Sequence, residues 1–382
     1  KRILNIGFAM MIISALLLGC APEGGETGDI EEIEEVVIGV YEPMTGAQAA
    51  GGVQTMQGVD LAYAQKDEVL GVPIKMVLVD NRGDKAESAT AMTRLIEQEK
   101  AVAVVGSYGS SNSMAGGEVS EAAGIPVMGC SPTNPLVTEG KDYYFRACFI
   151  DPFQGRVMAK YATEQGIEKV AIIQNVSQDY SVGLAAFFKQ SWIDLTGSED
   201  GIVSETSYQD GDQDFTAQLS DIGDAQAIFA PGYYGDAALL MSQAREMGFT
   251  GLFMGTDAWE APELVQIAGD AAEGAVFSSH YSAEAATTPA SAPFVEAFME
   301  EYGEAPSAMA ALGYDAYMLA VDAIERAGSF DPEDIRDAMA ATENFEGVTG
   351  YITINETGDA VKDAVVLEVR DGAFKYLSTV SP

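Results

Sequence analysis

Four segments of the chain concentrate small hydroxyl, aromatic and acidic side chains: residues 105–113, 129–135, 230–236 and 254–259. Each follows a short apolar run, and loops leaving the carboxyl ends of parallel strands line the crevice where α/β proteins bind ligands. In the first segment Ser110, Ser111 and Ser113 open a helix that continues through residues 114–123. A carboxylate there accepts from free backbone N–H groups and from hydroxyls without any cation. Ser110 is therefore a candidate ligand contact; the alternative is that Ser110 or Ser111 only caps its own helix, and one residue can do both.

Catalytic constellations are scarce. The sole histidine, His280 in residues 278–281, reads as a partly exposed residue near a hinge. No nucleophile elbow, phosphate loop or paired-cysteine metal pattern accompanies it. The stretch Asp210-Gly211-Asp212-Gln213-Asp214 invites comparison with a calcium loop, but Phe215 stands where such a loop needs glycine. It reads instead as the cap of a helix beginning at Phe215. Neither an enzyme nor a metal or cofactor site is expected.

The elements that must position these segments alternate in the manner of βα units. Strands are predicted at 36–41, 74–80, 102–106 and 126–128, with an amphipathic helix at 85–98 carrying Ala89, Met92, Leu95 and Ile96 on one face. A second series follows: helices at 153–165, 181–195, 215–222 and 237–247 with strands at 170–174, 202–208, 227–230, 252–254 and 275–277. A helix-rich return covers 293–302, 308–327 and 332–341, and antiparallel-looking strands close the chain at 351–354, 364–370 and 374–377. This is an α/β protein long enough for two cores.

At the other end, Lys1 and Arg2 precede an apolar run, residues 3–18, that ends in Leu17-Leu18-Gly19-Cys20. That order reads as an export signal with a lipoprotein cleavage motif, removing residues 1–19 and leaving lipid on Cys20. Residues 20–35, rich in Glu, Gly and Asp, read as an acidic flexible tether. The formal charge of -39 disfavours nucleic acid and anionic lipid surfaces as partners. Cys130 and Cys148 could pair in an oxidising exterior, but spacing does not establish the geometry a disulfide needs.

A family resemblance rests on phrases occurring in order: Pro43-Met44-Thr45-Gly46, Val105-Gly106 with its serine cluster, Ser131-Pro132-Thr133-Asn134-Pro135, and Phe145-Arg146. They continue with Gln178-Asp179-Tyr180-Ser181-Val182-Gly183, Asp214-Phe215-Thr216, Gly269-Asp270-Ala271-Ala272-Glu273-Gly274 and Phe345-Glu346-Gly347-Val348-Thr349-Gly350. From about residue 36 onward the chain resembles the leucine/isoleucine/valine-binding family of ABC transporter receptors, class I periplasmic binding proteins. The resemblance implies two Rossmann-like lobes with parallel sheets joined by a three-crossing hinge, lobe 1 from 36–148 and 278–349 and lobe 2 from 149–277 and 350–382. It also implies a non-catalytic, extracytoplasmic receptor without cofactor that hands an amino acid to ABC permease subunits.

Carried onto this sequence, the resemblance assigns Ser110, Ser131 and Thr133 to the ligand carboxylate, and Tyr180, Tyr233 and Asp257 to the closing lobe. Asp257 would meet the ammonium in a charge-assisted hydrogen bond; the alternatives are a helix cap before Pro262 or a surface turn acid, and for the tyrosines simple packing. Two departures stand out. Small residues at 49–52 replace an aromatic found in branched-chain binders, which suggests a wider side-chain pocket. Gly83 and Gly109 occupy the places of a disulfide found in some relatives. Phe149, Phe153 and Trp259 are candidate lining residues. A receptor or sensor for short amides, urea or aromatic acids is the alternative on the same fold.

Overall fold

Residues 34–285 and 288–382 are described by a computed structural model. The first sheet contains β1 (Val36–Glu42), β2 (Glu68–Val69), β3 (Val72–Asp80), β4 (Ala103–Gly106), β5 (Val127–Gly129) and β6 (Tyr144–Arg146), in the order β2-β3-β1-β4-β5-β6. The second contains β7 (Val170–Asn175), β8 (Ile202–Tyr208), β9 (Ala227–Phe229), β10 (Leu252–Gly255) and β11 (Val276–Ser279). After a small hairpin of β12 (Phe345–Gly347) and β13 (Gly350–Ile352), the strands β14 (Ala364–Arg370) and β15 (Ala373–Val380) complete its order, β15-β14-β11-β10-β9-β7-β8.

Each sheet starts with a strand flanked by later parallel neighbours on both sides, β1 between β3 and β4, and β7 between β8 and β9. The chain thus reverses direction across each sheet at its first strand, which opens a crevice at the carboxyl ends there. Strand β14 pairs antiparallel with β11 and with β15, as the alternating pattern at the C-terminus predicts. The α/β, two-lobed class holds. Strand β6 was not legible because it is three residues long and lies at the sheet edge.

Helices cover both faces of the sheets. They are α1 (Ala49–Gln65), α2 (Lys85–Glu97), α3 (Ser110–Ala123), α4 (Asp151–Glu164), α5 (Asp179–Thr196), α6 (Thr216–Ser220), α7 (Tyr234–Glu246), α8 (Pro262–Ala268), α9 (Ser291–Tyr302), α10 (Ala308–Ala327) and α11 (Pro332–Ala340). Strand β1 shows the consequence: Ile38 and Val40 enter the core shared with α1 and α10, while Val37 and Tyr41 enter the one shared with α2. A strand buried on both faces reads as a continuous apolar run, as this one does. Among the described residues no helix is long and apolar enough to cross a membrane.

The chain passes between the sheets after β6, after β11 and after β13. At the first passage Arg146 is fully buried: its Nη1 donates to the carbonyls of Pro132 (2.7 Å) and Asn134 (2.8 Å), and its Nε donates to Asp359 on the third passage (2.7 Å). The guanidinium fork thereby fixes the backbone of the loop that carries Ser131 and Thr133. Cys130 and Cys148 are both buried free thiols, and the Cys148 Sγ donates to Pro132 O.

Packing between α1 and α10 depends on glycine. A Cβ on Gly58 would lie 1.7 Å from Ala310 O, and one on Gly313 would lie 2.2 Å from Thr55 O. Because both obstacles are backbone, Gly58→Ala is expected to lower the unfolding free energy by about 1–3 kcal/mol, read as a lower urea midpoint at unchanged m-value.

Candidate ligand-binding site

The loops after β4, β5, β9 and β10 and the start of α5 converge between the two sheets. There Tyr108, Ser110, Ser131, Tyr180, Tyr233, Asp257 and Ala258 surround one cavity. Thr133 is buried just behind this wall, its hydroxyl without a hydrogen bond.

Each side chain is placed by its element. Ser110 is the first residue of α3, but Gly109 occupies the N-cap and no side chain caps the helix, so its first-turn N–H groups remain available. The Ser110 hydroxyl accepts instead from Asn134 N (3.2 Å), and the Ser131 hydroxyl donates to Tyr108 O (3.3 Å). Tyr233 precedes α7 and stacks obliquely on Tyr108 and on Tyr180, with centroids 5.7 and 5.5 Å apart. Among the described residues no lysine, arginine or histidine faces the cavity.

Asp257 is neither a surface acid nor a cap. It is 3% exposed, and its Oδ1 accepts from Gln154 Nε2 (2.6 Å) and from the Tyr180 hydroxyl (2.7 Å), which also lies 2.7 Å from Thr256 Oγ1. His280 Nε2 lies 3.1 Å from Oδ2. Burial pushes the Asp257 carboxyl up, but the hydrogen bond and field of His280 with the bonds from Gln154 and Tyr180 outweigh it and hold the group below the ordinary value. Burial in turn keeps the imidazole below its ordinary value, against the pull of Asp257. The carboxylate is thus held in its ionised form and shares a hydrogen bond with the imidazole. A carboxylate offers about four lone-pair positions, and three are filled here, which leaves one for a further donor.

Several residues depart from what their sequence context suggests. His280 is buried, its ring tilted against that of Phe149 with centroids 3.8 Å apart, because it completes the hydrogen-bonding shell of Asp257. Neither His280 nor Gln154 was legible as a site residue, since nothing in the local sequence ties them to Asp257; the uniqueness of the histidine was the one available signal. The small residues at 49–52 do not widen the pocket. A Cβ on Gly51 would fall 2.3 Å from the Tyr108 ring, so Tyr108 fills the space an aromatic would take. Trp259 packs over Gly255 and against Phe277 in the second lobe's core, and Phe153 meets Phe149 edge to face; none of Phe149, Phe153 and Trp259 lines the cavity.

Away from the passages between the sheets, direct bonds join the lobes at Asp179 and at Tyr234. Asp179 at the start of α5 receives Lys85 Nζ (2.7 Å) and the Ser111 hydroxyl (3.0 Å) on its carboxylate and Asn134 Nδ2 on its carbonyl (2.9 Å). On another side Tyr234 donates to Ala47 O (2.9 Å) and accepts from Ala50 N (3.2 Å). The space left between the cavity side chains is about 10 Å³ for the centre of a water-sized sphere, enough for about one water. Anything larger enters only if these bonds part and the lobes separate. In the acidic loop further along, Phe215 rather than an acid occupies the N-cap of α6, Asp214 accepts from Thr216 N (2.9 Å), and Asp210 accepts from Asn175 and Gln178.

A two-lobed receptor with its polar site in the crevice between sheets is the class this geometry defines. The model of the family described as periplasmic binding protein matches residues 35–373. The leucine binding protein LivK from Thermotoga maritima is 43% identical, with a TM-score of 0.88 over 91% of this chain and 99% of that one. The branched-chain amino acid transporter substrate binding protein LivJ from Streptococcus pneumoniae, solved in complex with isoleucine, is 32% identical, with a TM-score of 0.85 over 91% and 100%. The Leu/Ile/Val-binding protein homolog 2 of Brucella abortus is 28% identical over 90% of this chain and 93% of its own length. The chain therefore belongs to the leucine/isoleucine/valine-binding family of periplasmic binding proteins. These relatives are solute-binding proteins, and the family works outside the cytoplasm.

Behind Thr133, both oxygens of the buried Asp151 carboxyl lack a well-formed hydrogen bond, and burial pushes this group up to about 8. The native state therefore keeps a proton that the unfolded chain releases above about pH 4, so stability falls as pH rises from about 4 to about 8. In Asp151→Asn the drop in urea midpoint between about pH 5 and pH 8.5 is expected to be smaller than in the wild type.

Proposed function

We propose that the protein is the extracytoplasmic substrate-binding lipoprotein of an ABC importer and captures a branched-chain or other hydrophobic amino acid between its lobes. The observation that carries this reading is the pairing, across one cavity, of the buried Asp257 carboxylate with the hydroxyls of Ser110 and Ser131. An α-amino acid is a zwitterion, and this site has an acid at one end and uncharged donors at the other. Ser110, Ser131 and Thr133, with the first-turn N–H groups of α3, would hold the carboxylate; Asp257 and Tyr180 would take the ammonium; Tyr233 would close over the ligand. The relatives named for leucine and solved with isoleucine support the aliphatic class.

The two bodies that close are residues 36–148 with 278–349 and residues 149–277 with 350–382. A ligand touching both favours the closed arrangement by its differential affinity for the two states, and the closed form would be delivered to the permease subunits. The protein performs no chemistry on its ligand. The signal at 1–19, the lipid on Cys20 and most of the tether lie outside the described residues; they support anchoring through the order Leu17-Leu18-Gly19-Cys20.

Asp257→Ala tests the ligand assignment. It is expected to weaken binding of the preferred amino acid by about 2–5 kcal/mol, at least thirtyfold, in a calorimetric titration of protein stripped of carried ligand. Tight binding of amides or aromatic acids by the wild type, with no response to amino acids, would contradict the assignment. Lys85 and Asp179 are half-exposed and can contribute no more than about 1 kcal/mol, so Lys85→Ala should weaken binding by at most about fivefold. That loss should shrink at high salt.

A further inference from the structure

A second cavity lies by the passage from the second sheet to α10, with about 240 Å³ open to the centre of a water-sized sphere. Both lobes build it: Gln54 belongs to α1 of the first, and Leu367 and Phe374 belong to β14 and β15 of the second. None of the residues that line the interlobe site recurs here. At its wall Tyr281 is 2% exposed and its hydroxyl has no hydrogen-bond partner. The buried amide oxygen of Gln54 has none either.

The charged lining is of one sign. Glu260 is buried, Glu284 and Glu304 are exposed at the rim, and among the described residues no lysine, arginine or histidine faces the space. Phe298, Leu367 and Phe374 supply an apolar surface beside them. Buried acceptors left unmatched are costly, and a donor-rich cation matches them. Among the described residues no group of ligating side chains is gathered closely enough to hold a metal ion, so the complementary cation is an organic one.

We propose that this cavity is a second ligand site and that it takes an aliphatic primary amine, its ammonium toward Gln54, Tyr281 and Glu260 and its hydrocarbon body against Phe298, Leu367 and Phe374. A carboxylate-bearing amino acid is disfavoured there by the three glutamates, which separates this site from the interlobe one. Glu260 Oε1 also accepts from Ala308 N at the start of α10 (2.8 Å), and Ser279 donates to Oε2, so an occupant beside it touches both the hinge and the helix that crosses from it. Burial pushes Glu260 up to about 7, and an adjacent ammonium would lower it again.

The test is calorimetric titration of the full chain with n-butylammonium and with 1,4-diaminobutane, and with butyrate as the anionic control. Saturable binding of one equivalent of amine is expected, none of butyrate, with the affinity retained in Asp257→Ala and at least tenfold weaker in Tyr281→Phe. Gln54→Leu, at a half-buried position, provides a second variant should Tyr281→Phe fail to fold. Absence of saturable amine binding overturns the proposal. So does binding that disappears in Asp257→Ala, which would place the amine in the interlobe site, or binding that is unchanged in both Tyr281→Phe and Gln54→Leu. Since the amine probes lack a carboxylate, a failure here leaves the amino-acid reading of the interlobe site untouched.

Discussion

A carboxylate removed from water must be surrounded by donors, and the arrangement around Asp257 follows from that requirement. Gln154 comes from α4, Tyr180 from α5 and His280 from just past β11, so three separate elements are held in register by one acid. Removing one partner of such a buried group costs far more than an exposed ion pair is worth, because the charge stays behind. The same shell leaves the carboxylate ionised and one of its lone-pair positions free. The chemistry of the crevice is thereby set by the second lobe's framework, while the first lobe presents hydroxyls and helix N–H groups but no cation.

The first lobe meets its own version of this demand at Arg146. A fully buried guanidinium needs acceptors on every side, and it finds them in the backbone of residues 132–135 and in Asp359, far away in sequence. The loop that bears Ser131 and Thr133 is rigid because it completes the shell of an arginine, and the third passage between the sheets is bound to the same group. Fixed loops on each lobe, with breakable bonds across the crevice at Asp179 and Tyr234, are the arrangement that the proposed hinge closure would require.

Much of this was legible from the chain alone, and for identifiable reasons. Strands β1, β8 and β14 are long β-branched runs, and their bounds in the sequence and in the structure nearly coincide. Strand ends rich in hydroxyls and aromatics marked the loops that do converge, because the crevice at the carboxyl ends of parallel strands follows from topology. What escaped were relations between distant elements. Gln154 is one polar residue on an amphipathic helix, His280 one residue past a strand, and only the packed fold shows both aimed at Asp257. The glycines at 51 and 52 misled for the same reason: they suggest empty space, whereas they mark where Tyr108 and the Pro43 carbonyl approach the helix.

The most direct measurement compares leucine with 4-methylpentanoate, the same molecule without its amino group, as ligands for the wild-type protein at neutral pH and moderate salt. If the ionised Asp257 reads an ammonium, the des-amino acid binds at least about a hundredfold more weakly, since the carboxylate it faces would lose a charge-assisted partner worth about 3 kcal/mol or more. Equal binding of the two would contradict the account at its centre, for the acid in the crevice would then be a structural group that the ligand does not touch.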